Sequence, residues 1–369
     1  MNYFSSFVGN IIFKTIPTTT FLISAMLQSG CTRFVPPLQA NLIEGKERSQ
    51  YEAFGHKYMI STQGSATTNA AKFVFAHGGN IFDAAVAASF AISVERPHST
   101  GIGGGGFMLL HHAKTGKDIA LDFREMAPRM AFGKMFLDKN GKQIRDKSLT
   151  GPYAVGIPGI VAGVLDVHKN YGKLDLRTIM APAIKLAGEG MVIYPALAKA
   201  IKSEAKRLCQ FEESKAIFLK PDCSGPAVGE VLYQKDLAKT LKLIAKNGHD
   251  GFYNGEVASK IVANQKKYNG LISHKDLKNY KVKERKPVIG SFRGHKIVSM
   301  PPPSSGGAHI IQILNILEQF DLAKFGAQSV ESVHLTSSAM QLAFADRAAH
   351  MGDSDFKTVP TQKIISKPY

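Results

Sequence analysis

The sequence has no tryptophan and only three cysteines in 369 residues. The missing indole removes one of the aromatic platforms on which exposed nucleic-acid bases stack. No uninterrupted apolar stretch approaches the ~18–20 residues that a membrane-spanning helix needs. Hydrophobic residues at 44% and charged residues at 20% exclude disorder as a description of the whole chain. Collagen-like and coiled-coil biases are absent. Acidic residues are scarce as well: 29 Asp and Glu face 46 Lys and Arg, a formal net charge of +17. That balance invites an anionic partner. The basic residues are scattered, however. The densest run, HKDLKNYKVKERK (274–286), is interrupted by acids and reads as a solvated helix and its exit. No nucleic-acid-binding motif is present, so nucleic acid is not an expected partner. The length allows about two domains or one large α/β unit.

The first thirty residues read as an address. MNYFSSFVGNIIFK has Lys14 as its one basic residue, and IPTTTFLISAMLQSG is mildly apolar and ends in small residues. That is the pattern of a secretory signal with an apolar core diluted by threonines. Cys31 follows. Ser29 and Gly30 fit the small residues before a lipid-bearing cysteine, while Leu27 lies four positions upstream and Gln28 takes the usual leucine place. The expectations are a signal peptide over 1–30 and a leader over 31–60. Cys31 is either a lipid-anchored first residue or an ordinary cysteine after plain cleavage. The expected location is periplasmic or extracellular. In an exported chain, Cys209 and Cys223 would pair in a disulfide contributing about 3 kcal/mol. In a cytosolic chain they are two unrelated thiols.

From Ser65 the pattern becomes helical. SATTNAAKFVFAHGG opens with capping residues and stops at Gly78-Gly79, and DAAVAASFAISVERPHS is a second helix rich in small residues. TGIGGGG (100–106) precedes FMLLHH, AKTGKD and IALDF, which read as a hairpin. From about residue 150 helices dominate, most ending near Gly or Asn. KPVIGSFRGHKIVSM reads as two short strands, PPPSSGG (301–307) breaks the chain, and two more helices follow.

Several motifs carry candidate chemistry. Gly101, Gly103 and Gly106 have the spacing of a dinucleotide fingerprint, but that motif must follow a strand and open a helix, and here the order is reversed. A backbone passing close to another segment or a small ligand is the better reading of the run. His111 and His112 face opposite sides of a strand, with no further ligand at metal spacing. Thr67, Thr68, Ser304 and Ser305 precede helices and read as caps, and GxSxG is absent around the serines. Arg124 follows the strand IALDF beside a glycine-rich segment, well placed to grip a carboxylate bidentately. The alternative is an ion pair with neighbouring Asp122 or Glu125.

At these residues the sequence resembles the γ-glutamyltranspeptidases, also called glutathione hydrolases. STGIGGGGFMLL, LDFREMAP, VGIPGIVAG, SKAIF, SMPPPSSGG and HIIQILNILE carry the likeness, in order, from about Gly64 to the end. DFRE and PPPSSGG are specific in combination. The resemblance implies an α/β (α+β) chain with the four-layer αββα N-terminal-nucleophile hydrolase fold, with residues 61–369 as large-subunit region. It implies a precursor that cuts itself in two, so that the new N-terminal threonine of a small subunit attacks the γ-glutamyl amide. The γ-glutamyl group then passes to water or to an acceptor amino acid or peptide. The arginine of DFRE, here Arg124, would bind the substrate α-carboxylate. Gly103, Gly104, Ser304, Ser305 and Gly306 would support the site. No metal or cofactor is expected. The family's cleavage point lies some tens of residues beyond the segment GDSDF (352–356), so the nucleophile is expected beyond residue 369 and this chain alone is expected to be inert. Two other readings remain: a relative acting on poly-γ-glutamate, and a non-catalytic fragment that at most binds a ligand weakly.

Overall fold

The computed structural model describes residues 53–369. The signal segment, Cys31 and the leader up to residue 52 lie outside the described residues. In chain order come α1 (Ser65–Ala76), α2 (Ile81–Glu95), β1 (Gly106–His112), β2 (Lys117–Phe123), α3 (Ile160–Tyr171), α4 (Leu176–Glu189), β3 (Met191–Val192) and α5 (Pro195–Leu208). Then follow α6 (Glu212–Phe218), β4 (Val231–Leu232), α7 (Lys235–Asn247), α8 (Asp250–Tyr253), α9 (Gly255–Lys267), α10 (His274–Lys278) and β5 (Lys283–Arg285). Last are β6 (Val288–Phe292), β7 (His295–Ser299), α11 (Gly306–Leu317), α12 (Leu322–Phe325), α13 (Val330–His350) and α14 (Thr361–Ile364).

Small side chains let α1 and α2 meet closely. Ala70, Ala71 and Val74 of one and Ala84, Ala87, Phe90 and Ala91 of the other are buried in the main core. Asn80 caps α2 in a reciprocal box with Asp83. The start of α1 is satisfied differently from the sequence expectation. Its N-cap is Gly64, which has no side chain to offer. Buried Glu95, at the end of α2, accepts the Ala66 N–H at 3.1 Å and the Thr67 N–H at 2.8 Å. The Thr67 hydroxyl donates to the same carboxylate at 2.7 Å, and Thr68 turns back to the Gly64 carbonyl. A carboxylate from a distant helix therefore does the capping assigned to the threonines, and it favours the positive end of α1.

β1 and β2 form the expected antiparallel hairpin, paired from His112 opposite Lys117 to Gly106 opposite Phe123. β2 is the central strand and is buried from Ile119 to Phe123, which is why IALDF reads as a run rather than an alternation. Its other neighbour is β5, pairing Ala120 with Arg285 and Asp122 with Lys283. The run 274–286 is thus only in part a solvated helix. α10 is brief, and the exit is the third strand of the sheet. Alternation explains the misreading: Glu284 faces water while Arg285 turns inward to Asp122, so a charged run can carry inward-facing side chains.

VGIPGIVAG brings α3 onto the end of β2. A Cβ at Gly159 would collide with the Phe123 carbonyl oxygen and the Tyr280 hydroxyl, and one at Gly163 with the Phe123 ring. A smaller apolar cluster, Met191, Ile193, Leu197, Ile201 and Leu232, lies around β3, β4 and α5. Cys209 and Cys223 are joined in a disulfide with Cα atoms 5.8 Å apart.

Candidate active site

β2 ends at Phe123, so the next residue leaves the sheet with its backbone unpaired by the ladder. Side chains hold it instead. The Arg124 N–H donates to Asp122 Oδ1 at 3.1 Å, and its carbonyl accepts the Tyr280 hydroxyl at 2.8 Å. Tyr280 is buried and lies parallel to Tyr253, with ring centroids 5.7 Å apart. Tyr253 is itself fixed by donating to the Pro158 carbonyl at 2.8 Å. Burial pushes both phenols well above the ordinary tyrosine range, so they remain neutral donors.

The Arg124 side chain is exposed, with its guanidinium 5.6 Å from the centroid of the Phe107 ring. The ion pair that competed with ligand binding in the sequence reading does not form. Asp122 pairs with Arg285 at 2.7 Å. Glu125 pairs with no cation among the described residues, and no described carboxylate reaches Arg124. Arg124 opens onto a cavity of about 260 Å³ with Glu125, Lys281, Lys283, Pro303 and Phe356 among its walls. The arrangement can hold a carboxylate through a two-pronged guanidinium contact.

Asp355 closes one side. Arg285 forks onto it with bonds of 3.0 and 2.8 Å, and Lys283 adds a third contact. The fork, then the lysine, holds its carboxyl well below the ordinary carboxylate range. A depressed pKa means that folding favours the ionised form, so this stabilisation is full above the ordinary value of 3.8 and fades as pH falls below it. The apparent Tm gap between the wild-type chain and Asp355→Asn is therefore expected at pH 7 and should narrow by pH 3. A gap independent of pH would contradict the pairing.

The other residues singled out from sequence take varied places. Gly103 has open space around its Cα, and the Gly104 carbonyl accepts the N–H groups of Gly159 and Ile160, seating α3. The close approach falls on Gly105, where a Cβ would stand 2.6 Å from the Phe123 carbonyl oxygen and 2.7 Å from the Glu125 nitrogen. In the 301–307 loop, Pro303 reaches the cavity wall. Ser304 Oγ accepts the Gly306 N–H at 3.2 Å, and Ser305 Oγ accepts Arg347 Nε at 3.1 Å. The serines and Gly306 thus shape the loop, and Ser354 ties it to the neighbouring turn by donating to the Pro302 carbonyl at 3.2 Å. His111 contacts Asp118 at 2.8 Å and His112 contacts Thr115 at 2.9 Å. Sequence reading missed Arg285, Asp355 and Tyr280. Only the alternation in KER (283–285) hinted at the first, and nothing local marked the others.

Known proteins share this arrangement of elements. The crystal structure of Helicobacter pylori gamma-glutamyltranspeptidase superposes with a TM-score of 0.84 at 43% identity, over 86% of this chain and 91% of that one. The transpeptidase CapD of Bacillus anthracis superposes with a TM-score of 0.69 at 30% identity, over 85% and 98%. The glutathione hydrolase proenzyme of Escherichia coli is 41% identical over 350 residues, 94% of this chain and 60% of that protein. The chain thus spans about three-fifths of that curated relative's length. The fold is the mixed helix-and-sheet N-terminal-nucleophile hydrolase fold expected from the sequence. The sequence model of gamma-glutamyltranspeptidase matches residues 67–369, and the chain belongs to that family.

Proposed function

We propose that this chain is the donor-binding large subunit of an enzyme that transfers γ-glutamyl groups from glutathione and related compounds to water, amino acids or peptides. The observation that carries this reading is Arg124, a guanidinium with no carboxylate partner among the described residues, while neighbouring Asp122 is paired with Arg285. A γ-glutamyl donor carries a free α-carboxylate that such a group would clamp. Gly104 acts at a distance by seating α3, and Ser304, Ser305 and Gly306 by shaping the loop beside Arg124; no such contact falls on Gly103.

The nucleophile belongs, in this proposal, to a small subunit from the same precursor. The threonine hydroxyl attacks the γ-carbonyl, its own α-amine takes the proton and passes it to the departing amine, and the γ-glutamyl ester that remains goes to the acceptor. Two observations support a partner chain. The chain covers nearly all of the H. pylori structure it matches but only part of the E. coli proenzyme. In addition, α13 runs 21 residues yet buries only Ala339 and Ala343, leaving Val330, Val333, Met340 and Phe344 exposed on one helical face. Export, inferred from the N-terminal segment, suits the Cys209–Cys223 disulfide. The lipid at Cys31 is a separate proposal that mass spectrometry of the mature N-terminus tests.

Purified 369-residue chain, incubated with a γ-glutamyl anilide, is expected to release no product above background, whereas the two-subunit enzyme should turn it over. Turnover by the chain alone would place a nucleophile within it and overturn the division of labour.

A further inference from the structure

We propose that Arg285 is a positioning residue for Arg124: by neutralising Asp122 it keeps that buried carboxylate from capturing the substrate-binding guanidinium. The inference rests on Arg124 as the donor-carboxylate site and adds what keeps that site open.

Asp122 and Arg124 are two residues apart at the end of β2, a spacing that favours one face. Asp122 lines the same cavity as Arg124 and is 6% exposed. An unpaired carboxylate so buried would draw any cation within reach, since isolated charge is costly there. Both of its oxygens are already engaged without the Arg124 side chain. Oδ2 accepts Arg285 Nε at 2.7 Å, and Oδ1 accepts the Arg124 backbone N–H at 3.1 Å. Asp122 therefore orients the Arg124 backbone while leaving the guanidinium free.

Strand pairing makes this geometry. Arg285 stands opposite Ala120, so Asp122 is its diagonal neighbour on the same face of the sheet. Its side chain is 14% exposed. The remaining two nitrogens fork onto Asp355 at 3.0 and 2.8 Å. Asp355 sits in the turn that Ser354 ties to the Pro302 carbonyl. One guanidinium thus joins β2, β5 and the turn beside the proline loop. Arginine suits the task because its planar fork serves two carboxylates at once, which a lysine ammonium does poorly.

The test is a KM-against-kcat comparison in the matured two-subunit enzyme, with a γ-glutamyl anilide as donor. Arg285→Gln is expected to raise KM about tenfold with kcat within about twofold of wild type, because a displaced clamp weakens binding. Arg285→Lys should fall between. The decisive variant is Asp122→Asn combined with Arg285→Gln. The amide still accepts the Arg124 N–H but carries no charge to capture its side chain, so KM should return to within about threefold of wild type. A residue that merely braced the fold would behave oppositely, since the second substitution would remove another buried contact. An unchanged KM in Arg285→Gln, or a KM still raised in the double variant, overturns the proposal. Should Arg285→Gln fail to fold, Arg285→Lys with and without Asp122→Asn gives the same comparison. Arg124→Gln is measured in parallel. No KM effect there removes the donor-site reading itself, whereas an effect there with none at Arg285 removes only the positioning role.

Discussion

Arg124→Gln in the matured enzyme is expected to lower kcat/KM for γ-glutamyl donors by about 30- to 1,000-fold, a loss of about 2–4 kcal/mol of charged, bidentate contact. The fall should appear mainly in KM, because the α-carboxylate is remote from the amide being cleaved and is held alike in ground and transition states. Arg124→Lys keeps the charge but loses the fork, so it should recover only part of the deficit. Folding should be little affected. The side chain is exposed and forms no ion pair among the described residues, so its removal leaves no buried acid unpaired. Steady-state kinetics on a γ-glutamyl anilide, with thermal unfolding as control, separates binding from stability. Unchanged kinetics would remove Arg124 from the site.

The surroundings of Arg124 were partly legible in the sequence because their signals are local. DFRE places an arginine directly after an apolar strand, and β2 ends as that pattern predicts, at Phe123. The glycine run and the proline loop announce backbone in unusual places, and both lie beside Arg124. Partners supplied by distant segments were not legible. Asp355 and Arg285 are 70 residues apart, Arg285 and Asp122 163 apart, and Tyr280 and Arg124 156 apart. Periodicity within one segment says nothing about such pairs. Glu95 is the same case: a helix-capping carboxylate some 28 residues from the N–H it serves has no local signature, whereas Thr67 and Thr68 had the local look of caps. Composition misled where it averaged. The basic run 274–286 reads as solvated surface, yet its arginine, Arg285, bridges Asp122 and Asp355.

Glycine discriminates the packing account most sharply. Gly159→Ala is expected to destabilise the chain by about 3–5 kcal/mol, lowering the apparent Tm by roughly 5–10 °C. The added methyl would meet the Phe123 carbonyl oxygen and the Tyr280 hydroxyl together. The first contact is backbone and cannot swing aside. The second is the hydroxyl that fixes the Arg124 carbonyl. α3 must therefore lift from β2, or Tyr280 must release Arg124. In the assembled enzyme the same substitution should also raise KM for the donor, although residue 159 is not among those lining the cavity beside Arg124. Gly103→Ala is the control. Nothing lies within 4 Å of its added Cβ, so its cost should stay within about 0.5 kcal/mol. Gly105→Ala should side with Gly159, because its Cβ would stand 2.6 Å from the same carbonyl oxygen. Thermal unfolding of the three variants checks the ranking. If Gly103→Ala cost as much as Gly159→Ala, the glycines would be acting through chain flexibility, and the close seating of α3 on the strand that carries Arg124 would lose its support.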